Sequence, residues 1–434
     1  MKSAQQNTQL FLSSQSATSR IPTPSPTMER ASSLKAEPFA GSSRSGHFDE
    51  RTVSILGGED AVSQQGVYSE MKMPWWYVRE GRLPDAPKQV QLILSDLCNQ
   101  DCVWCAYRVS GNPSNELFLG DSEAAGYGKN NPKRRIPTDR ALRFLDEFKE
   151  AGVLSVQFTG GGEPTVHPEH EVIFSQALEL GLRCSLVSNG VKWSYSLIKD
   201  ILPRFDWVRV SIDAGDSGSY SKTRNTPTKN WDAVWEHVRT LSAAIAANNS
   251  PTAFGLGFVV TPDSYEEIPA FTALAKAAGV GNVRFTAMFG PEEEKPYNII
   301  YDEVHRLIAK ARKIHQSDSF MVYDNFGSRV DDLRQHSPDY ELCSYQYYTS
   351  YIGGDMNSYR CCILAYNKRG QVQGGNLSER SFSDYWKSQE RKDDFASLDA
   401  RGCPRCQFNT KNRQMIYITG NTQSDTSPRH MEWP

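Results

Sequence analysis

No apolar run in this 434-residue sequence approaches the ~20 residues that a membrane span requires, and its start lacks the apolar core of a secretory signal. The expectation is a soluble, cytoplasmic protein with no membrane partner. An excess of one charge is also missing. Forty-eight basic and 51 acidic residues give a formal net charge of −3, so no bulk attraction to nucleic acid or an anionic surface is built in. The only tight basic cluster, Lys133-Arg134-Arg135, reads as a solvated loop. Residues 1–70 lack both helical and strand periodicity and are rich in Ser, Thr, Gln, Pro and Gly, as in SSQSATSRIPTPSPTMERASS. Such a stretch cannot bury enough apolar surface to order itself, and a disordered tail is expected. The hydrophobic share of 38% and charged share of 23% still suit a globular chain of two or three domains.

Ordered structure is expected to begin near Met73-Pro74-Trp75-Trp76-Tyr77. From residue 90, β-rich runs at 90–97, 153–160, 184–190, 207–213, 253–261 and 283–288 alternate with helical stretches. The helices fall at about 138–151, 168–180, 194–202, 230–247, 264–279 and 301–317. This alternation predicts an α/β fold with a parallel sheet and right-handed crossovers. Six units are too few to close an eight-stranded barrel, so residues 71–319 are expected to form an open, partial (β/α)6 TIM-like barrel. Its site belongs where the C-terminal strand ends converge. Residues 320–434 lose the alternation and hold five of the nine cysteines, which predicts a small C-terminal module. The connection at 109–136 is long and reads as a lid or as disorder.

The cysteines are spaced too unevenly for a small disulfide scaffold and read as metal ligands. Cys98, Cys102 and Cys105 follow the first strand directly. Three thiolates so close together can wrap one face of a cubane cluster and leave its fourth iron open. Zinc is the alternative, but a structural zinc site wants four ligands and no fourth lies nearby.

CxxxCxxC with an aromatic residue before its last cysteine resembles the signature of the radical S-adenosylmethionine (SAM) superfamily. The resemblance implies a [4Fe–4S] cluster with one open iron, SAM as cofactor, and an external electron donor such as flavodoxin or ferredoxin. It also implies reductive cleavage of SAM to a 5′-deoxyadenosyl radical that takes hydrogen from a substrate carbon. Thr159-Gly160-Gly161-Gly162-Glu163-Pro164 looks like the family's GGE motif, which places Gly161, Gly162 and Glu163 at the SAM amino group. By the same resemblance Ser188, Asn189 and Ser211 contact SAM, Asp213 lies by the ribose, and Arg224 pairs with the SAM carboxylate. A surface salt bridge is the plainer reading of Arg224. His167 and His170 read as starting and capping a helix, and Cys184 as a small buried hydrophobe. No catalytic residue is nominated.

Downstream, Cys343, Cys361, Cys403 and Cys406 resemble the ligands of a twitch domain, the shorter relative of the SPASM domain, and imply a second [4Fe–4S] cluster; zinc competes for four thiolates. The segments Gly375-Asn376-Leu377-Ser378-Glu379 and Tyr385-Trp386 fit the same resemblance. The glycine usual five positions before the second ligand is Met356 for Cys361 or Asn357 for Cys362, and spacing favours Cys361. Oxidation and redox-neutral rearrangement both stay open. So do small metabolites, a modified nucleotide or thymidine in DNA, and a peptide, although residues 1–70 do not read as a leader-binding domain. The competing class is a non-catalytic iron–sulfur or zinc protein.

Overall fold

The computed structural model describes residues 75–109, 116–118, 130–290 and 294–419. The expected tail at 1–70 and most of the 109–136 connection lie outside the described residues. A helix, α1 (Trp75–Glu80), precedes strand β1 (Gln89–Leu92). Then follow α2 (Thr138–Ala151), β2 (Ser155–Phe158), α3 (His170–Glu179), β3 (Arg183–Ser188), β4 (Trp207–Ser211), α4 (Ser217–Arg224), α5 (Lys229–Ala247) and β5 (Ala253–Val260). The barrel continues with α6 (Ile268–Ala277), β6 (Asn282–Ala287), α7 (Tyr301–His315), β7 (Met321–Asn325) and α8 (Phe326–Gln335). Three further strands, β8 (Thr349–Ile352), β9 (Asn357–Tyr359) and β10 (Gln371–Asn376), complete one open, ten-stranded sheet in the order β10-β9-β8-β1-β2-β3-β4-β5-β6-β7. The sheet curves as a partial barrel of the α/β class. Among the described residues no helix is long and apolar enough to cross a membrane.

Helix α2 shows why these segments fold as they do. Its buried residues Ala141, Phe144, Leu145 and Phe148 recur at helical spacing on one face, and Gly152, with φ 90°, ends it in the left-handed region. The strands alternate in the complementary way. Val208, Val210, Leu256, Phe258, Val283 and Phe285 are buried on the helix-facing side, where Phe258 meets Phe271 of α6 at 5.0 Å between ring centres. Arg209, Ser211, Gly257, Arg284 and Thr286 are half-buried on the other face.

Two expectations need adjusting. The stretch expected as a helix at 194–202 is a wide π turn (Leu197–Ile201) followed by a short 3-10 turn, and α4 was not anticipated. The sheet also runs through the expected division at 319/320. Strand β7 extends the parallel set, and β8 pairs in parallel with β1, Gln89 opposite Thr349 and Leu92 opposite Ile352. Val372, Leu377, Phe382, Tyr385 and Trp386 join the barrel's own core, and Trp386 Nε1 donates to Pro84 O at 2.8 Å. Arg140 of α2 ties the layers together, donating to Leu377 O (2.9 Å) and Arg380 O (2.8 Å). The C-terminal segment therefore extends the barrel sheet from its β1 edge as well as carrying cysteines.

Candidate functional site

Four neighbouring parallel strands deliver the sequence-nominated residues to one rim. Beyond β1 lie Cys98, Cys102 and Cys105; beyond β2 lies Gly160–Glu163; β3 ends on Ser188 before Asn189; β4 ends on Ser211 before Asp213. The glycine turn docks on the cysteine loop through its backbone. Gly162 N–H donates to Ser95 O (3.2 Å) and Glu163 N–H to Leu97 O (2.8 Å). A Cβ on Gly161 would fall 2.1 Å from Asp96 Oδ1, and one on Gly162 2.1 Å from Leu97 O, so contact this close requires glycine.

Glu163 is buried and held from several sides. Its Oε1 accepts from Ser188 Oγ (2.8 Å), Thr165 Oγ1 (2.8 Å) and Thr165 N–H (3.1 Å), while Oε2 accepts from Asn189 N–H (2.7 Å). Ser188 Oγ itself accepts from Gly190 N–H and Trp193 Nε1, both at 3.0 Å, so its capacity goes to orienting Glu163. Asn189 Nδ2 reaches back to Asn99 Oδ1 (2.7 Å) beside Cys98. Ser211 stands half-buried at the end of β4.

Helix α4 clamps the same loop. Asp101 N–H donates to Arg224 O (3.2 Å) and Val103 N–H to Thr223 O (3.1 Å), and Gln100 Nε2 donates to Tyr220 Oη (2.8 Å). Arg224 Nη2 donates to Asp213 Oδ2, and Asp213 Oδ1 accepts from Val259 N–H (2.6 Å). Both side chains are almost wholly buried, which also removes the surface-salt-bridge reading. A guanidinium in that position must be neutralised from within the protein. Arg224 Nη1 also approaches Cys102 Sγ (3.4 Å), and its guanidinium lies 5.2 Å from the Trp104 ring centre. Burial pushes the Asp213 carboxyl up and Arg224 pulls it back; its two hydrogen bonds favour the ionised pair.

Burial raises all three thiols of the loop, Cys98 to about 12 and Cys105 to about 11; for Cys102 the Arg224 charge acts against burial. Such thiols are protonated at neutrality, and ligation must displace the proton.

Beneath the glycine turn lies a polar network that the sequence reading missed. Asp96 Oδ1 accepts from Tyr366 Oη, and Oδ2 accepts from Arg134 Nε at 2.9 Å. Arg134 is only 4% exposed, so the solvated-loop reading fails for it while Lys133 and Arg135 are exposed. Burial lifts the Asp96 carboxyl to about 7, with Arg134 opposing. Tyr366 lies 270 residues from Asp96, a separation that leaves no local pattern to read.

The second cysteine group forms its own chamber. Cys343, Cys361, Cys403 and Cys406 all line one small cavity, together with Tyr345, Arg360 and Phe408. Cys362 turns elsewhere and accepts from Gln407 Nε2 at 2.8 Å. Met356, five positions before Cys361, has φ 61°, the left-handed backbone that glycine would take most easily, whereas Asn357 lies in β9. Among the described residues no three His, Cys, Asp or Glu side chains are grouped as the ligands of one metal ion. His170 does begin α3, and His167 bonds Ile136 O at 2.9 Å beneath it. Cys184 is buried in β3.

A probable GTP 3′,8-cyclase of Halobacterium salinarum is 27% identical over 260 residues, 58% of this chain and 67% of that protein. An S-adenosylmethionine-dependent nucleotide dehydratase of Lacinutrix mariniflava is 34% identical over 85 residues, 20% of this chain and 18% of its own length. The structure of Streptococcus suis SuiB bound to precursor peptide SuiA shares the fold, with TM-score 0.53 and 15% identity over 74% of this chain and 70% of that one. Residues 92–275 match the family described as the Radical SAM superfamily, a span that contains the cysteine loop, the glycine turn and the β3 and β4 ends.

Proposed function

We propose that the chain is an enzyme that reductively cleaves SAM and abstracts a hydrogen atom from a substrate carbon, leading to oxidation or rearrangement. The observation that carries this reading is the docking of the three-thiol loop onto the turn that presents Glu163. A [4Fe–4S] cluster with SAM on its open iron supplies, when bound and reduced, the 5′-deoxyadenosyl radical. Cys98, Cys102 and Cys105 would ligate the other three irons, and the donor set fits because no fourth protein thiol belongs to the loop. Glu163 would accept from the SAM ammonium, with its carboxylate already oriented by Ser188, Thr165 and Asn189. Gly161 and Gly162 let that turn approach the loop closely, and Ser211 faces the ligand from the end of β4. Asp213 and Arg224 act as positioning residues that fix the loop around Cys102.

The four chamber thiols support a second [4Fe–4S] cluster held by Cys343, Cys361, Cys403 and Cys406. Zinc competes for the same four sulfurs. An external flavodoxin or ferredoxin would deliver the electron.

The test is to reconstitute the protein with iron and sulfide without oxygen, add reductant and SAM, and measure 5′-deoxyadenosine by chromatography. Formation above the level of a no-reductant control is expected, with further stimulation by the cell fraction holding the substrate. A fully loaded protein that forms none would establish the non-catalytic reading in its place.

A further inference from the structure

The face of the sheet opposite the helices carries a second constellation. Across β4, β5, β6 and β7 the register aligns Ser211, Gly257, Arg284 and Tyr323, and the row before it starts at Arg209 and passes through Gly255 to Asn282. Members of a row in a parallel sheet point the same way. Ser211, Gly257, Arg284 and Tyr323 are all half-buried, while the adjacent row Val210, Leu256, Val283 and Val322 is fully buried against the helices. Arg284 therefore stands level with Ser211 on the interior face, two strands away. Gly257 lies on the floor between them, where a Cβ would be in ordinary contact with Arg209 Cδ at 3.4 Å and Ser211 Oγ at 3.8 Å. Arg209 crosses that gap, its guanidinium 5.2 Å from the Trp207 ring centre.

A third arginine approaches from α8. Arg329 Nη1 donates to Gln407 Oε1 (2.7 Å), and its guanidinium lies 4.8 Å from the Phe289 ring centre, on the side of the cysteine chamber. Among the described residues no carboxylate acts on Arg209 or Arg284. The neighbour that bears most strongly on Arg284 is Arg209, with Arg329 also opposing its charge, and burial alone brings Arg209 down to about 10. The Asp332 carboxylate acts on Arg329, so the uncompensated charges are those of Arg209 and Arg284; like charges gathered in this way are costly, and folds keep them where an anion completes the site.

We propose that Arg209, Arg284 and Arg329 form an anion pocket inside the barrel that binds the phosphate of a small phosphorylated substrate between the SAM rim and the cysteine chamber. The guanidinium fork matches phosphate geometry, and a multiply charged phosphate compensates several cations where one carboxylate leaves a surplus. The interior position and the balanced charge of the whole chain favour a small ester over a polynucleotide. The inference rests on the radical SAM reading for what happens to the substrate, but the pocket itself is testable without that chemistry.

Isothermal titration calorimetry of the reconstituted full-length chain, with neither SAM nor reductant, would use inorganic pyrophosphate as the probe and succinate as the carboxylate comparison. Wild-type protein is expected to bind pyrophosphate more tightly than succinate. Arg284→Gln and Arg209→Gln should each weaken pyrophosphate binding about 10- to 100-fold, the loss of a charge-assisted contact. Arg143→Gln, at an exposed pair on α2, should leave it unchanged. Thermal melts without ligand should show Arg284→Gln at least as stable as wild type, because a like-charge repulsion is removed. Absence of pyrophosphate binding, binding by both pocket variants as tight as by wild type, or tighter binding of succinate would each overturn the phosphate pocket. Loss of deoxyadenosine formation with these binding differences intact would count against the enzymatic reading and leave the pocket standing.

Discussion

Cys102→Ala is expected to bring 5′-deoxyadenosine formation down to background and to lower the iron content of the reconstituted protein from about eight to about four per chain. Two ligands cannot hold three irons of a cubane, and Cys102 is the middle thiol of the loop, the one that Arg224 approaches at 3.4 Å. The residual iron should belong to the chamber. Cys406→Ser should remove that remaining portion, whereas Cys362→Ser, whose sulfur is turned toward Gln407, should retain full iron. Iron analysis and low-temperature electron paramagnetic resonance of the reduced variants separate the two sites. Unchanged iron in Cys102→Ala would refute the three-thiol assignment, and iron lost from Cys362→Ser but kept in Cys361→Ser would move the second ligand by one residue.

Asp213→Asn is expected to destabilise the fold by about 3–5 kcal/mol, the cost of leaving a buried charge without its partner. Asparagine isolates that effect. It keeps the left-handed backbone that φ 61° requires and keeps an oxygen for Val259 N–H, so only the charge opposite Arg224 disappears. The double variant Asp213→Asn/Arg224→Met should recover part of the loss, since no charge then remains buried. Urea denaturation of the three proteins measures the coupling. A single variant within about 1 kcal/mol of wild type would mean the pair does not hold the loop, because exposed pairs contribute no more than that.

The strand–helix alternation and the local motifs were legible because each depends on neighbours in sequence. Helix α2 begins and ends at the residues its periodicity indicates, and the Gly-Gly-Glu turn falls at the strand end expected of it. What stayed hidden depends on distant partners. Arg134 reads as solvent-exposed within Lys133-Arg134-Arg135 because Asp96 lies 38 positions away and Asp355 a further 221. For Arg224 the local sequence does not separate a ligand contact from an ion-pair partner, because only the fold buries it together with Asp213. Helix α4 escaped notice because SGSYSKTR has little apolar periodicity; its start is set by Asp216, which caps Gly218 and Ser219. The arginine pocket was invisible for a different reason. Arg209 and Arg284 sit on strands whose alternation reads as an ordinary half-solvated face until the register turns that face inward.

The parallel pairing of β8 with β1 links the beginning of the barrel to a segment made some 260 residues later, as Gln89 opposite Thr349 shows. During synthesis β1 leaves the ribosome long before its second neighbour exists, so one of its edges waits with unpaired backbone groups through the making of every other barrel strand. Pairing along that edge is then a late event, and it carries Cys343, before β8, and Cys361, just after β9, into place together with the strand. A chain halted before β8 exposes an unpaired edge and a half-built core, marks that chaperones and proteases recognise.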